Sequence, residues 1–546
     1  MTTRLYRNAA VFTGDAEGPG CEAFAVRDGR ILAVGELDPV RSAAGPEAEE
    51  IDLGGAFVAP GIIEGHAHLA MLGEALDKVP LRDCTTVAEV QQRLAEARRA
   101  DPEATRLLGV SWRFDIFADG ERPTAALLDA AVPDVPVLLD ANDLHSVWAN
   151  TAALRAMGID RDTPDPVGGE IVRDEHGDAT GFLLETAAIA YAWGYLARTA
   201  SDEDRDRFFD NAFRAYLATG VTGATDMSTN DTDIAALRRR IDRDGRLPFP
   251  VRGHWLLTAT GDPEADLAQI DRVAALRDEL AGLPGAEWLG IVGVKFILDG
   301  TIDACTAAMR EPYANGALPD PIWTRERAVP VAVAADAAGL QLALHAIGDE
   351  ASTIALDAVE ACLRRNGPRA NRRPRIEHLE YVADDTIARM AALGVTASMQ
   401  PVHCDPAVLD NWQAVLGDER ALGGFPWHEF RARGVALALG TDAPTAPHEA
   451  PPNLFIAITA RSALDRAREP YQPQRVFTPA AALAALTAGT ARAAGMEAEY
   501  GRIAAGYRAN LFALDANPLS DDPDRLLEAR VLLTLVDGAE AYRYAP

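Results

Sequence analysis

Five cysteines in 546 residues, Cys21, Cys84, Cys305, Cys362 and Cys404, are too few, too scattered and odd in number for a disulfide framework or a cysteine-built metal site. Reduced thiols in a cytoplasmic protein are expected. Positive charge is also scarce: 52 Lys and Arg stand against 82 Asp and Glu, a formal net charge of −30. That balance argues against holding nucleic acid, where Lys and Arg neutralise phosphates, and against adhesion to an anionic membrane. It does not make the substrate cationic, because net charge describes the long-range field and not the lining of one cleft. Long apolar runs are missing as well. No stretch of eighteen or more suggests a membrane span, and Met1 to Asn8 lacks the basic, apolar and small-residue pattern of a secretory signal. Internal repeats and low-complexity tracts are absent too.

What is present is the composition of a folded protein, 48% hydrophobic and 25% charged. The length exceeds what one hydrophobic core usually supports, about 250 to 300 residues, so two or more domains are expected. Both ends read as short strands: Leu5 to Thr13, Ala23 to Arg27 and Arg30 to Gly35 near the start, and Leu511 to Asp515, Arg530 to Val536 and Ala541 to Tyr544 near the finish. Asp28-Gly29 and Asp537-Gly538 supply turns. A small β-sandwich built from 1–57 and 498–546 is predicted.

Between the ends, apolar strands alternate with helical stretches such as Asp262 to Ala281, Arg325 to Ala338, Ala351 to Asn366 and Asp384 to Leu393. The strand candidates are Ala56 to Ile63, Val221 to Asp226, Val251 to Leu257, Gly290 to Leu298, Leu340 to His345, Arg375 to His378, Val395 to Met399 and Val435 to Leu439. Eight strands with helices close naturally into a (β/α)8 TIM-type barrel, assigned to 58–82 and 205–497. From His68 to Val221 the interval is about 150 residues where a βα unit needs about 30. An α/β subdomain inserted over 83–204 accounts for it, with helices at Val87 to Arg99 and Pro123 to Ala131 and strands at Leu107 to Ser111 and Pro136 to Asp140. Such an insert after the first strand would overhang the face where barrel active sites lie. Proline-rich loops, Pro444 to Pro452 and Pro470 to Pro479, are expected to rim it.

Polar residues collect at the ends of these strands. His66 and His68 are two apart, so in an extended strand both imidazoles project from one face and could share a divalent metal. Lys295 lies in the fourth strand, His345 ends the fifth, His378 the sixth, and Asp442 the eighth. Each alone has an ordinary reading: surface histidines, a salt-bridged lysine, a core histidine, a turn aspartate. Together they occupy the barrel end that carries catalysis.

With these segments the chain resembles the amidohydrolase superfamily, and within it the branch of N-substituted formamide deformylases. The likeness runs along nearly the whole chain. It includes Pro60-Gly61 before the paired histidines, Asp299-Gly300, Thr306-Ala307, Glu311-Pro312-Tyr313, the His345 to Asp349 segment, Ile376-Glu377-His378 and Gly440 to Pro444. The resemblance implies that His66 and His68 hold a first metal, that Lys295 is a carbamylated bridging ligand, that His345 and His378 hold a second metal, and that Asp442 is ligand and proton shuttle. One or two divalent ions are implied, zinc foremost, with manganese or iron compatible with the donor types. The expected reaction is hydrolysis of a C–N bond, amide or N-formyl, by metal-activated hydroxide. Catalytic roles fall to Asp442, Lys295 and His378. In one-metal relatives the equivalent of His378 touches substrate or water instead.

Around this set His145, Trp112 and Asp115 in the insert, and His403 after the seventh strand, are candidates for contacting substrate. Asp226 is expected to support the site, Glu377 and Glu380 to face structure or solvent, and His176 and His448 to lie on the surface. Two departures from the family pattern stand out: Glu64 replaces the usual Asp two residues before the first histidine, and Thr301 the usual Ser after Asp299-Gly300. The alternatives are a one-metal deaminase or ester hydrolase, a metal-assisted isomerase or decarboxylase, and a non-catalytic regulatory protein on the same fold. The partner expected is a small-molecule substrate, with a homodimer left open.

Overall fold

A computed structural model describes residues 3–15, 21–117, 121–142, 146–166 and 168–545, apart from the Asp115 side chain. The chain separates into two compact units, one of 1–69 with 213–546 and one of 70–212.

In the first unit eight parallel strands form the barrel in sequence order: Ile62–Ala67, Val221–Thr229, Val251–Leu256, Leu289–Ile297, Gln341–Ala346, Arg375–His378, Thr396–Met399 and Ala436–Leu439. Every neighbouring pair is parallel, with Ile297 beside His345 and His345 beside Glu377. Helices such as Pro263–Ala281, Arg325–Ala337 and Asp349–Asn366 connect them. This is the (β/α)8 TIM-type architecture, in which parallel strands must be joined by crossovers. The first and eighth strands are the two ends of the ladder order. Isolated bonds join them, among them Asp442 N–H to the His66 carbonyl at 3.0 Å.

The predicted strand Ala56 to Ile63 is two strands. Phe57–Pro60 pairs with Leu511–Leu514 in a small sheet, and Ile62–Ala67 opens the barrel. The break falls at Gly61, whose N–H donates to the Asn510 carbonyl at 2.8 Å. Glycine is required there, because a Cβ would sit 2.0 Å from Thr222 Oγ1. The histidine pair consequently belongs to the barrel's first strand, and the apolar run before it belongs mostly to the terminal module.

That module has two sheets. One has the order Arg30–Gly35, Ala23–Arg27, Arg4–Arg7, Glu49–Asp52; the other Ala10–Val11, Phe57–Pro60, Leu511–Leu514, Val531–Val536, Ala539–Arg543. Leu5 to Thr13 is divided between them, with Asn8 in a left-handed conformation (φ 55°) at the division. Phe24, Val26, Val58, Leu511 and Leu533 fill the core, and Tyr6 stacks on Phe24 at 4.7 Å.

The 70–212 unit has a six-stranded mixed sheet with Leu107–Trp112, Val137–Ala141, Ser146–Ala149 and Ala179–Glu185 at its centre. Its core holds Trp112, Trp148, Leu139 and Phe182. Among the described residues no helix is long and apolar enough to cross a membrane.

Candidate metal centre

His66 is fully buried, and its ring is oriented from below. Its Nδ1 lies 2.8 Å from Glu377 Oε2, and Glu377 is clamped by Arg375 through bonds of 2.5 and 3.0 Å. Burial works to protonate Glu377, but Arg375 first and then His66 hold it well below the usual carboxylate range. A carboxylate only accepts, so Nδ1 carries the proton and Nε2 presents a bare lone pair. Lys295 Nζ approaches that lone pair at 3.0 Å, and Asp442 Oδ1 lies 3.5 Å from the same atom. The lysine therefore reaches the position a cation would take.

His68 leans on Ser228 Oγ through Nδ1 at 2.9 Å and on Asp442 Oδ1 through Nε2 at 2.9 Å. Asp226 fixes the chain around it, accepting Leu69 N–H at 2.9 Å and the Thr229 hydroxyl at 2.8 Å. Asp226 thus supports the histidine pair without joining it. His378 is 4% exposed with φ 73°, and its Nδ1 has no hydrogen-bond partner among the described residues. Its ring lies 4.9 Å from that of His66 and 4.4 Å from that of His345. His345 Nε2 is 3.3 Å from the Gly300 carbonyl. Asp299 gathers the neighbouring loops, accepting N–H groups of Ala308, Ile347 and Gly348.

The electrostatics keep the His66 and His378 imidazoles neutral and the Glu377 and Asp442 carboxylates ionised. Burial and Lys295 push His66 down to about 3, and burial with His345 lowers His378 far below an ordinary imidazole. Both rings are neutral and able to ligate. Burial also lowers Lys295 to about 8 against the pull of Glu377 and Asp442. Asp442 stays ionised despite its burial because His66 and His68 surround it. Donor atoms of His66, His378 and Asp442 all lie within 4.8 Å of one another.

A second trio, His378, Glu380 and His403, meets the same criterion. His403 stacks parallel to His378 at 5.8 Å, with Nδ1 3.2 Å from Glu380 Oε1 and Nε2 3.6 Å from Asp442 Oδ2. Burial opposes its protonation, but Glu380 and Asp442 outweigh that and raise its pKa.

Glu377 and Glu380 do not face solvent; each orients a histidine of the site. Strand alternation puts Glu377 and His378 on opposite faces. The left-handed backbone at His378 and Leu379 breaks that alternation and brings both to the same centre. His448 is half-buried, its ring edge-on to buried Tyr216 at 6.1 Å, whereas His176 is exposed. Trp112 is buried and packs on Trp148 and Phe182, its indole N–H donating to the Leu139 carbonyl at 2.9 Å. His145 and the Asp115 side chain lie outside the described residues.

The amidohydrolase family pattern matches residues 49–542. The N-substituted formamide deformylase of Arthrobacter pascens is 31% identical over 99% of this chain and 98% of its own. Protein LONG AFTER FAR-RED 3 of Arabidopsis thaliana is 31% identical over 98% of this chain and 91% of its own. Among solved structures, an uncharacterized metal-dependent hydrolase from Pyrococcus furiosus superimposes with a TM-score of 0.74 and 27% identity, covering 95% of this chain and 100% of that one. With strand-end histidines, lysine and aspartate on an eight-stranded parallel barrel, and with a family match over nearly its whole length, the chain belongs to the amidohydrolase family of hydrolases.

Proposed function

We propose that this chain is a metal-dependent hydrolase that cleaves the C–N bond of an amide or N-formyl group on a small organic molecule. The observation that carries the reading is the convergence of donor atoms of His66, His378 and Asp442 within 4.8 Å, with the His66 Nε2 lone pair turned toward them and toward Lys295. Imidazole nitrogens and a carboxylate suit zinc, and also manganese or iron. The buried Nδ1 of His378, without a hydrogen-bond partner among the described residues and 3.9 Å from Asp442 Oδ2, fits the same purpose, since a buried polar atom left unbonded is otherwise unfavourable. His66, His68 and Asp442 would hold one ion, His345 and His378 a second, and Lys295, as a carbamate, would span both. When bound, an ion at such a site lowers the pKa of water to about 7 and polarises a carbonyl.

The chain's own groups supply the rest. Asp442 takes the proton of the attacking water at Oδ2 and delivers it to the departing nitrogen. His403, held by Glu380, which favours its protonated form, donates from Nε2 to the substrate oxygen or leaving group. The N-formyl choice is supported by the deformylase relative.

A metal-loaded screen of N-formyl, N-acyl and cyclic amides, read as release of formate or amine with His68→Ala as control, tests the reading. Active protein free of divalent ion would sink it. The alternative is a one-ion form with Lys295 unmodified; intact mass under non-acidic conditions, with or without one added carbon dioxide, decides between the two.

A further inference from the structure

We propose that Glu64 is a positioning residue whose side chain closes the barrel between its first and eighth strands and so fixes Asp442 relative to His66. The proposal rests on the reading above that these two residues hold an ion.

One carboxylate spans the seam. Glu64 Oε1 accepts the His66 N–H at 3.1 Å and the Thr441 N–H at 2.8 Å, and Oε2 accepts the Thr441 hydroxyl at 3.1 Å. The residue before Asp442 is thereby tied to the strand that bears His66. Asp442 itself has φ 59°, a left-handed conformation that a non-glycine residue keeps only where its surroundings enforce it. The seam is tight. A Cβ on Gly440 would lie 2.5 Å from Glu64 Oε1 and 2.6 Å from the His66 nitrogen, and one on Gly65 would lie 2.6 Å from the Leu439 carbonyl oxygen. Two glycines let the strands abut, and the Glu64 carboxylate fills the notch they leave.

Length is what matters here. Aspartate is shorter than glutamate by one carbon, about 1.5 Å. From the same backbone it would reach the His66 amide and lose the Thr441 donors. In this chain the longer side chain carries the link from first strand to last.

The test compares Glu64→Asp, which keeps charge but not length, with Glu64→Gln, which keeps length and an acceptor for both amides. The full chain is titrated with cobalt(II) and its absorption spectrum recorded; kcat and KM are measured on an N-formyl substrate; hydrogen exchange is followed over 436–444. Glu64→Asp is expected to weaken cobalt binding about tenfold or more. It should also alter the spectrum, lower kcat with KM held, and speed exchange at Thr441 and Asp442. Glu64→Gln should stay within about threefold of wild type, the scale of one neutral hydrogen bond. Wild-type exchange and spectrum in Glu64→Asp overturn the proposal, as does a Glu64→Gln defect as large as that of Glu64→Asp. If Glu64→Asp does not fold, Thr441→Val, which removes the hydroxyl that donates to Glu64 and accepts the Ala443 N–H at 3.4 Å, must speed exchange at Asp442, and its failure to do so overturns the proposal too. A wild type that takes up no cobalt refutes the metal reading alone, because the exchange comparison still decides the role of Glu64.

Discussion

Glu377 Oε2 accepts from His66 Nδ1 at 2.8 Å, while Arg375 holds the same carboxylate and donates to the Gly65 carbonyl and to Ser398 Oγ, both at 2.6 Å. One buried ion pair thus fixes both the ring of His66 and the backbone beneath it. Glu377→Gln, nearly isosteric, should weaken divalent-ion binding about 10- to 100-fold by freeing the imidazole tautomer. Glu377→Ala should in addition destabilise the fold by about 3 to 5 kcal/mol, since it leaves the Arg375 charge buried and unpaired. Competition with a metallochromic chelator and thermal unfolding separate the two effects.

Lys295 places a function against stability. Burial lowers its pKa from 10.5 to about 8. Between those values the unfolded chain binds more protons than the folded one, so this lysine's contribution to stability rises with pH through that window. At pH 7 it destabilises the metal-free fold by up to about 3 kcal/mol. Lys295→Met should therefore raise the melting temperature of metal-free protein at pH 7 while abolishing ion binding. The difference should shrink as the pH passes about 10. An equal or lower melting temperature at pH 7 would count against a buried, strained ammonium.

The parts of the site that sequence made legible are those carried by residue type at a strand end: His66, His68, Lys295, His345, His378 and Asp442 all lie on or just after barrel strands. What escaped was which side chain orients which. Glu377 adjoins His378 in sequence, and strict alternation separates them; only the positive φ at His378 joins them. Glu64 reads as a conservative departure until its two acceptor contacts with Thr441 across the seam are seen. The run from Ala56 reads as one strand because Gly61 interrupts it by a change of sheet, which leaves no break in hydrophobicity. Trp112, a candidate for contacting substrate by sequence, packs against the rings of Phe114, Trp148 and Phe182, an arrangement that periodicity does not encode.

His403 distinguishes a proton donor from a ligand. If it serves substrate, His403→Asn should lower kcat/KM about 100-fold, within the usual range for removing a general acid. Bound-ion stoichiometry should stay unchanged, and Glu380→Gln should show a smaller loss of the same kind. Loss of one ion equivalent in either variant, measured by elemental analysis after gel filtration, would instead assign the trio of His378, Glu380 and His403 to metal.

Gly61 offers a test of the junction between terminal module and barrel that is independent of chemistry. A Cβ there would meet Thr222 Oγ1 at 2.0 Å, Cγ2 at 2.5 Å and Cβ at 2.8 Å. Thr222 is β-branched and wholly buried on the second barrel strand, so it has few rotamers in which to retreat. Gly61→Ala should accordingly destabilise by about 1 to 3 kcal/mol, the usual range for overpacking. Thr222→Ala removes the two nearest atoms but leaves its own Cβ, so the pair Gly61→Ala with Thr222→Ala should recover part of the loss and not all of it. Denaturant unfolding of the four proteins gives the coupling energy directly. Additivity of the two substitutions would mean that the strand ends separate instead of clashing, and that the passage from module to barrel at Gly61 is looser than its close contacts imply.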